Sequence, residues 1–242
     1  MKKEKLFVVG DVHGQITMLK ELLKYWKPEE EQLLFLGDLA DRGENSKATL
    51  EWARDLKEEH EAIVIKGNHD EMLEKFLEKP AEHVALYYMN GGGMTVNSLL
   101  SRKASQHEFE KNAQEIKENY PWLLPFLKSL PLYHEWGNYL FVHAGVNMQK
   151  ENWRDSSIRD FVWIREGFYD QPNHTGKTII FGHTVTATLN KDFNNFDIWE
   201  SGDGLIGLDG GAVYGGKMHA LVLTKDEIKE HYFVENDGYR FG

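Results

Sequence analysis

The chain has 242 residues, enough to bury a sizeable core in one large domain, and its formal net charge is −11. That charge argues against a broad basic surface for a nucleic-acid polymer, and without an apolar stretch of about 20 residues or a signal peptide we expect a cytoplasmic protein with no membrane partner. The sequence contains no cysteine, so any metal site must use oxygen and imidazole ligands.

Three rounds of a short apolar strand, a polar loop and an amphipathic helix open the chain. The apolar runs are 6–9, 33–36 and 62–65, and the loops predicted after them are 10–14, 37–43 and 67–70. Apolar residues recur at helical spacing after each loop. Parallel strands joined in this way form right-handed crossovers, with the loops after the strands on one edge of the sheet. Ligands bind at that edge, so we expect the three polar loops to face one crevice.

The middle of the chain, about residues 80–131, is predicted to be a helical excursion that packs beside the sheet and governs substrate selectivity. Glycines 91–93 interrupt its helical pattern, and the charge run 108–118 indicates a solvated helix face. Strands are predicted at 132–135 and 139–142, joined by a tight hairpin, and again at 178–181, 205–208, 217–223 and 230–234. No linker or repeat is visible, so we expect a single domain over residues 1–242.

Five strand ends carry side chains that can bind a metal ion. They are Asp11 with His13, Asp38, Asn68, His143 and His183. One histidine after a strand is more often a hydrogen-bonded structural residue, but five junctions of the same kind indicate a shared site. Three imidazoles, two carboxylates and an amide oxygen suit Mn, Fe or Zn. They are too many for one ion with an open position, so we expect two ions bridged by Asp38, an arrangement that activates water to attack phosphorus.

The loop 37–43 adds a candidate phosphate clamp, because Arg42 follows Asp38 by four residues. His69 adjoins Asn68 and can reach the same cavity without binding a metal ion. Asp41 is its candidate partner, since a carboxylate favours the protonated imidazole that a general acid requires. Alternatively, Asp41 pairs with Arg42 or caps the following helix. Other polar residues without a motif are interpreted as structural: His134, His174, Lys177 and His219.

The segments 10–14, 37–43, 67–70, 143–145 and 182–183 resemble, in this order, the motifs of the calcineurin-like metallophosphoesterases. More narrowly, they resemble the phosphoprotein phosphatase branch, which contains serine/threonine protein phosphatases and symmetrical diadenosine tetraphosphatases. The resemblance extends from about residue 6 to residue 223. It implies an α/β fold in which two mixed β-sheets form a sandwich flanked by helices.

The same resemblance implies a role for each candidate residue. One metal ion would be held by Asp11, His13 and Asp38, and the other by Asp38, Asn68, His143 and His183. The substrate phosphate would be bound by Arg42, Arg165 and Asn68, and the acid pair would be His69 with Asp41. An alternative for Arg165 is a surface residue that packs on the neighbouring Trp163 or Phe168.

The leading hypothesis is a metal-dependent serine/threonine protein phosphatase that hydrolyses phosphomonoesters by metal-activated hydroxide. Its cofactors would be two divalent ions, Mn in the first place and Fe or Zn as alternatives. Symmetrical bis(5'-nucleosyl)-tetraphosphatase activity is the alternative, favoured by Asp70, where protein phosphatases usually have glutamate, and by the glycine-rich segment 208–217. An alternative of another class is a catalytically silent phosphate-binding module. The expected partner is a phosphoprotein or a dinucleoside polyphosphate, and the oligomeric state is left open.

Overall fold

The structure, a computed structural model, describes residues 3–236; the outermost ends of the predicted domain, 1–2 and 237–242, lie outside the described residues. The strands in the described part are β1 (Lys5–Val9), β2 (Glu31–Phe35), β3 (Ile63–Val64), β4 (Tyr133–Trp136), β5 (Tyr139–Val142), β6 (Thr178–Phe181), β7 (Trp199–Glu200), β8 (Leu205–Gly207), β9 (Lys217–Leu223) and β10 (Ile228–Glu235). The α-helices there are α1 (Ile16–Leu22), α2 (Ser46–His60), α3 (Asn68–Glu78), α4 (Pro80–Met89), α5 (Gly92–Leu100), α6 (Phe109–Asn119), α7 (Leu123–Lys128), α8 (Ile158–Trp163) and α9 (Thr186–Leu189).

The strands form two mixed sheets of five strands each, which confirms the predicted sandwich. In the first sheet the order is β10-β9-β1-β2-β3, with β1, β2 and β3 parallel and β9 antiparallel to β1. In the second sheet the order is β4-β5-β6-β8-β7, and β5, β6 and β8 are parallel. The three opening strand-loop-helix units therefore place the loops after β1, β2 and β3 at one edge, as predicted.

Residues of β1 show why these strands are apolar at every position. Neighbouring side chains on a strand point to opposite faces of the sheet. Leu6 and Val8 pack between the two sheets, against residues such as Ile180 of β6, while Phe7 and Val9 pack on the opposite side beneath the helices. Both faces are buried, so a polar side chain on this strand has a place only where the strand ends.

Four helices, α4 to α7, fill the chain between α3 and β4, in the region where a helical excursion was predicted. They join the core under the first sheet, and Tyr87 of α4 stacks on Phe76 of α3 with ring centroids 4.9 Å apart. The interruption between α4 and α5 is shorter than expected, because α5 begins at Gly92 and leaves only Asn90 and Gly91 in the turn. None of the helices within residues 3–236 has the length and apolar character to cross a membrane.

The start of α3 differs from the prediction in a way that matters for the site. Residues 68–70 were expected in a loop, but they form the first helical turn. The carboxylate of Asp70 explains the early start, because it accepts a hydrogen bond from the backbone N–H of Gly67 at 2.9 Å and so caps the helix. Asn68 and His69 are consequently held by helical backbone.

Candidate metal centre

The loops after β1, β2, β3, β5 and β6 meet around the buried carboxylate of Asp38. One carboxylate oxygen lies 3.5 Å from Nε2 of His13, and the other lies 3.4 Å from Nε2 of His143. The side-chain oxygen of Asn68 is 2.9 Å from the same nitrogen of His143. Ligand atoms of Asp38, His143 and His183 all lie within 4.8 Å of one another. Asp38 is thus placed between two sets of candidate ligands.

Asp11 completes the cluster from the end of β1. Its carboxylate accepts a hydrogen bond from the backbone N–H of His183 at 3.1 Å. Asp209, at the end of β8, is also buried and contributes a repulsive charge to Asp11. The six metal ligands predicted from the sequence therefore lie at one edge of the sandwich, where Asp209 joins them.

Two glycines make room for the carboxylates. A Cβ atom on Gly67 would lie 2.1 Å from an oxygen of Asp38, and a Cβ atom on Gly182 would lie 2.0 Å from an oxygen of Asp11. Both distances are far inside van der Waals contact, so any larger residue would push the carboxylate out of place. This contact explains why glycine precedes both Asn68 and His183 in the sequence.

In each imidazole of the candidate ligand set, one ring nitrogen is hydrogen-bonded to a backbone carbonyl. The pairs are His13 Nδ1 with Ala40 O (2.8 Å), His143 Nδ1 with Leu36 O (2.9 Å) and His183 Nε2 with Trp163 O (3.3 Å). A ring nitrogen that donates to a carbonyl fixes the tautomer and leaves the lone pair on the other nitrogen. In His13 that lone pair accepts a hydrogen bond from the guanidinium of Arg42 at 2.6 Å. The rings are oriented as metal ligands require.

The electrostatics of the cluster favour a cation. Burial lowers the pKa of His13 and of His183 well below the usual value, so both rings are neutral, the form that binds metal. Burial opposes a charge on His143 too, but Asp38 and Asp11 outweigh it and raise the pKa of His143 to about 9. The donor set and its potential therefore fit divalent metal ions.

Asp41 and His69 form a buried pair beside the cluster. Nδ1 of His69 is 2.8 Å from Oδ2 of Asp41, and both side chains are almost completely inaccessible to solvent. Nε2 of His69 is buried as well and has no hydrogen-bond partner within the described part of the chain. Within the described residues the Asp41 carboxylate makes no hydrogen bond or ion pair with Arg42, and no side chain caps α2, whose N-cap position is Asn45.

The ring of His69 also lies near the candidate metal ligands. Ligand atoms of His13, Asp38 and His69 are all within 4.8 Å of one another, and the His13 and His69 rings meet edge to face. A carboxylate behind an imidazole is found both in acid pairs and behind metal ligands. The position of His69 is consistent with either role, which makes its effect on metal content a decisive measurement.

Two side chains from the helical excursion hold Asp41. The hydroxyl of Tyr87 donates to Oδ1 of Asp41 at 2.9 Å, and the hydroxyl of Thr95 donates to the same oxygen at 2.6 Å. Thr95 also accepts a hydrogen bond from the backbone N–H of Asp41 at 2.8 Å. Neither residue was predicted, because they lie 46 and 54 positions from Asp41 and belong to no motif.

The predicted phosphate ligands line the open side of the centre. The guanidinium of Arg42 lies 5.5 Å from the ring centre of Tyr214, which is half exposed. Arg165 is exposed at the rim, and its NH2 group is 3.5 Å from the carbonyl of His183. Tyr214 was not predicted as a site residue, although its segment was expected to border the active site.

Asp70 connects two loops of the centre. Its carboxylate accepts hydrogen bonds from the backbone N–H groups of Asp38, Leu39 and Gly67 at 2.9, 3.3 and 2.9 Å. Burial raises the pKa of Asp70 to about 7, and the charge of Asp38 acts in the same direction. Asp70 therefore ties the loop after β2 to the start of α3.

The backbone of the site is strained. Eight non-glycine residues within 3–236 have a positive φ, and five of them belong to the site. These five are His13 (45°), Asp38 (50°), Asp41 (71°), Arg42 (66°) and His183 (63°). The left-handed region is unfavourable for residues with a Cβ atom, and such strain clusters where a structure holds functional groups in place.

The chain is similar in sequence to known proteins. The sequence profile described as Calcineurin-like phosphoesterase matches residues 4–203. The chain is 26% identical to Serine/threonine-protein phosphatase 1 of Salmonella typhimurium over 219 residues, which are 88% of this chain and 89% of the relative. It is also 26% identical to the asymmetrical Bis(5'-nucleosyl)-tetraphosphatase PrpE of Oceanobacillus iheyensis, over 93% of this chain and 90% of the relative.

A crystal structure assigned provisionally as a diadenosine tetraphosphatase has a similar fold, with a TM-score of 0.69. The superposition covers 98% of this chain and 96% of the other, at 21% sequence identity. At that identity the similarity concerns the fold. The arrangement of two sheets and flanking helices is therefore shared over the whole of both chains.

Proposed function

Because the chain belongs to the calcineurin-like phosphoesterase family, a family of metal-dependent hydrolases, we propose that it is a serine/threonine protein phosphatase. The resemblance predicted from the motifs is confirmed by the family match, which covers residues 4–203. The observation that carries the proposal is the convergence of the candidate metal ligands, Arg42 and the Asp41–His69 pair on one buried cluster. The choice of a phosphoprotein substrate is supported by the similarity to Serine/threonine-protein phosphatase 1.

The family implies a site for two divalent metal ions, and we propose Mn for both. One ion would be held by Asp11, His13 and Asp38, and the other by Asp38, Asn68, His143 and His183. Two ions so placed lower the pKa of water enough to make it a nucleophile toward phosphorus at neutral pH.

The protein's own side chains bind and orient the phosphoryl group. Arg42 presents its guanidinium at the cluster itself, where it can bind two phosphate oxygens at once. Arg165 is proposed as a second clamp, and Asn68, whose side-chain oxygen is 2.9 Å from Nε2 of His143, is proposed as a third phosphate-binding residue. These cationic and polar groups would stabilise the negative charge that develops on the phosphoryl oxygens.

His69 is proposed as the general acid. Its Nδ1 is paired with Asp41, so the ring can carry a second proton on Nε2, the nitrogen that has no partner in the described part of the chain. The leaving alkoxide of phosphoserine or phosphothreonine is strongly basic and has to be protonated as it departs. A proton donated from Nε2 meets that requirement.

A substrate panel on the Mn-loaded enzyme tests the substrate class. We expect a higher kcat/KM for phosphoserine and phosphothreonine peptides than for diadenosine tetraphosphate in the same buffer. A hundredfold preference for the dinucleotide would contradict the proposal. Loss of turnover of p-nitrophenyl phosphate in Asp38→Asn would also exclude the catalytically silent binding module.

Hydrolysis of dinucleoside tetraphosphates is the second candidate, supported by the similarity to the tetraphosphatase of Oceanobacillus iheyensis. The panel distinguishes two forms of it by their products. A symmetrical cut of diadenosine tetraphosphate yields two ADP, as our sequence-based alternative predicts, whereas an asymmetrical cut yields AMP and ATP. Action in the cytoplasm and a single domain over residues 1–242 stay predictions from the sequence.

A further inference from the structure

We propose that Tyr87 and Thr95 are positioning residues for catalysis: they hold the Asp41 carboxylate so that it orients His69. This inference rests on the proposed function, since it concerns the acid pair of the same site. It gives the helical excursion a part in catalysis, because Tyr87 belongs to α4 and Thr95 to α5. The excursion was expected from the sequence to influence substrate selectivity.

The two oxygens of Asp41 have separate partners. Oδ1 accepts the hydroxyl hydrogens of Tyr87 and Thr95, at 2.9 and 2.6 Å. Oδ2 is 2.8 Å from Nδ1 of His69. A rotation of the carboxylate would break both bonds to Oδ1 within a fully buried pocket, where no water replaces them. The donors on Oδ1 therefore fix the direction in which Oδ2 faces the imidazole.

Thr95 acts on the backbone of Asp41 as well. Its hydroxyl oxygen accepts the Asp41 N–H at 2.8 Å while its hydrogen is donated to the carboxylate. Asp41 has a φ of 71°, a conformation that needs support from its surroundings. One threonine side chain thus constrains both ends of the residue on which His69 depends. The next residue, Arg42, is also tied to the excursion, because its N–H donates to the carbonyl of Gly91 at 3.3 Å.

The ring of Tyr87 has a packing role that must be separated from the role of its hydroxyl. The ring is fully buried and stacks on Phe76. Tyr87→Phe keeps the ring and removes only the hydroxyl. Tyr88→Phe is a matched control, because Tyr88 is the next residue of the same helix and its hydroxyl interacts with Asn112 rather than with Asp41.

The first experiment compares two phosphate esters in the Mn-loaded enzyme. Phosphoserine peptide has a leaving group that needs a proton, whereas 2,4-dinitrophenyl phosphate has one that leaves without it. We expect Tyr87→Phe to lower kcat for the peptide at least about tenfold and kcat for the activated ester less than about threefold, since general acid catalysis contributes only where the proton is needed. Tyr88→Phe should keep the wild-type ratio. Equal losses on both esters, or no loss on either, would overturn the proposal.

Thr95 provides an independent second variant. Thr95→Val removes the hydroxyl at nearly constant volume, and we expect the same selective loss on the peptide as in Tyr87→Phe. Thr95→Ser keeps the hydroxyl and should restore the ratio between the two esters. If serine and valine behave alike, the hydroxyl has no positioning role and the proposal is wrong.

A spectroscopic measurement tests the orientation of His69 without relying on turnover. In zinc-loaded protein, which is diamagnetic, the Nδ1 proton of His69 should give a downfield proton resonance that His69→Asn removes. We expect Tyr87→Phe to shift or broaden this signal and Tyr88→Phe to leave it in place. An unchanged signal in Tyr87→Phe would overturn the proposal even if turnover fell. Failure of the proposed function looks different, because wild-type protein would then not hydrolyse the phosphoserine peptide.

Discussion

Backbone carbonyls of neighbouring loops hold the candidate metal ligands, as Leu36 holds His143, whereas hydroxyl groups from two distant helices hold the Asp41 carboxylate. Carbonyl groups are present whatever the sequence of the loop, so the metal ligands depend on the strand ends and on a few glycines. The acid pair depends instead on particular side chains of the helical excursion. The two halves of the site should therefore respond differently to substitution: the first through metal binding, and the second through proton transfer.

The largest effect should come from Asp38, which lies between both sets of candidate ligands. We expect Asp38→Asn to lower metal-dependent turnover of p-nitrophenyl phosphate by about a thousandfold or more, because neither ion would keep its bridging carboxylate. Inductively coupled plasma mass spectrometry should show loss of bound metal. Asp226→Asn, at an exposed position, serves as the control. Full turnover in Asp38→Asn would contradict a shared bridging ligand.

His69 tests whether the second half of the site is distinct from the first. His69→Asn should lower kcat for phosphoserine peptide by about a hundredfold and have a much smaller effect on 2,4-dinitrophenyl phosphate, since only the former needs a proton donor. Bound metal should stay at the wild-type level, as in the exposed control His107→Asn. Loss of a metal ion in His69→Asn would instead assign the residue to the metal centre.

Arg42 tests the part of the site that is proposed to bind the substrate phosphate. We expect Arg42→Ala to raise KM for phosphate esters by about tenfold, because a bidentate contact to phosphate is lost, while metal content is unchanged. The exposed Arg159→Ala provides the matched loss of a positive charge away from the site. Loss of metal in Arg42→Ala would show instead that the guanidinium holds His13 in position, since it donates a hydrogen bond to Nε2 of His13.

The effect of low pH on the stability of the fold has to be separated from its effect on turnover at the site. His219 is buried in β9. Its Nε2 is hydrogen-bonded to the carbonyl of Phe196, and its Nδ1 is hydrogen-bonded to Nε2 of His231. Burial lowers the pKa of His219 to about 4, and the positive charges of His231 and Lys217 act in the same direction, against Asp197. The unfolded chain binds this proton at the ordinary histidine pKa of about 6.5, so stability is complete above that pH and falls as the pH approaches 4.

The expected loss is about 2–3 kcal/mol in the free energy of unfolding between pH 6.5 and pH 4. Urea unfolding of metal-free protein over this pH range measures it, and His219→Gln should show a flatter dependence than the wild type. The exposed His174→Gln should keep the wild-type dependence. Parallel curves for wild type and His219→Gln would show that this histidine does not carry the acid sensitivity.

That the candidate metal ligands lie together could be predicted from the sequence, because the signal for each of them is local. Each ligand follows an apolar run of about four residues, and parallel strands bring such ends to one edge. Asp209 follows β8 in the same way, so the same signal could have identified it. The two mixed sheets were predicted only through the family resemblance, since strand periodicity alone leaves their order open.

The hydrogen bonds that hold the proposed acid pair could not be predicted, because they join residues that lie far apart in the sequence. Nothing in the sequence around Tyr87 or Thr95 marks them as partners of Asp41, and the contacts exist only once α4 and α5 have packed on the first sheet. The early start of α3 was missed for a related reason. Asp70 was considered as a departure from a motif, whereas its hydrogen bond to Gly67 acts as a helix cap.

The left-handed backbone at His13, Asp38, Asp41, Arg42 and His183 has a consequence for protein engineering. Each of these conformations costs about 1 kcal/mol or more, which glycine would largely avoid. A search for more heat-resistant variants would therefore favour replacing these residues, and every replacement would remove a candidate metal ligand, the proposed phosphate clamp or the partner of His69. At these five positions, selection for thermal resistance should therefore favour glycine, whereas selection for turnover should favour the present residues.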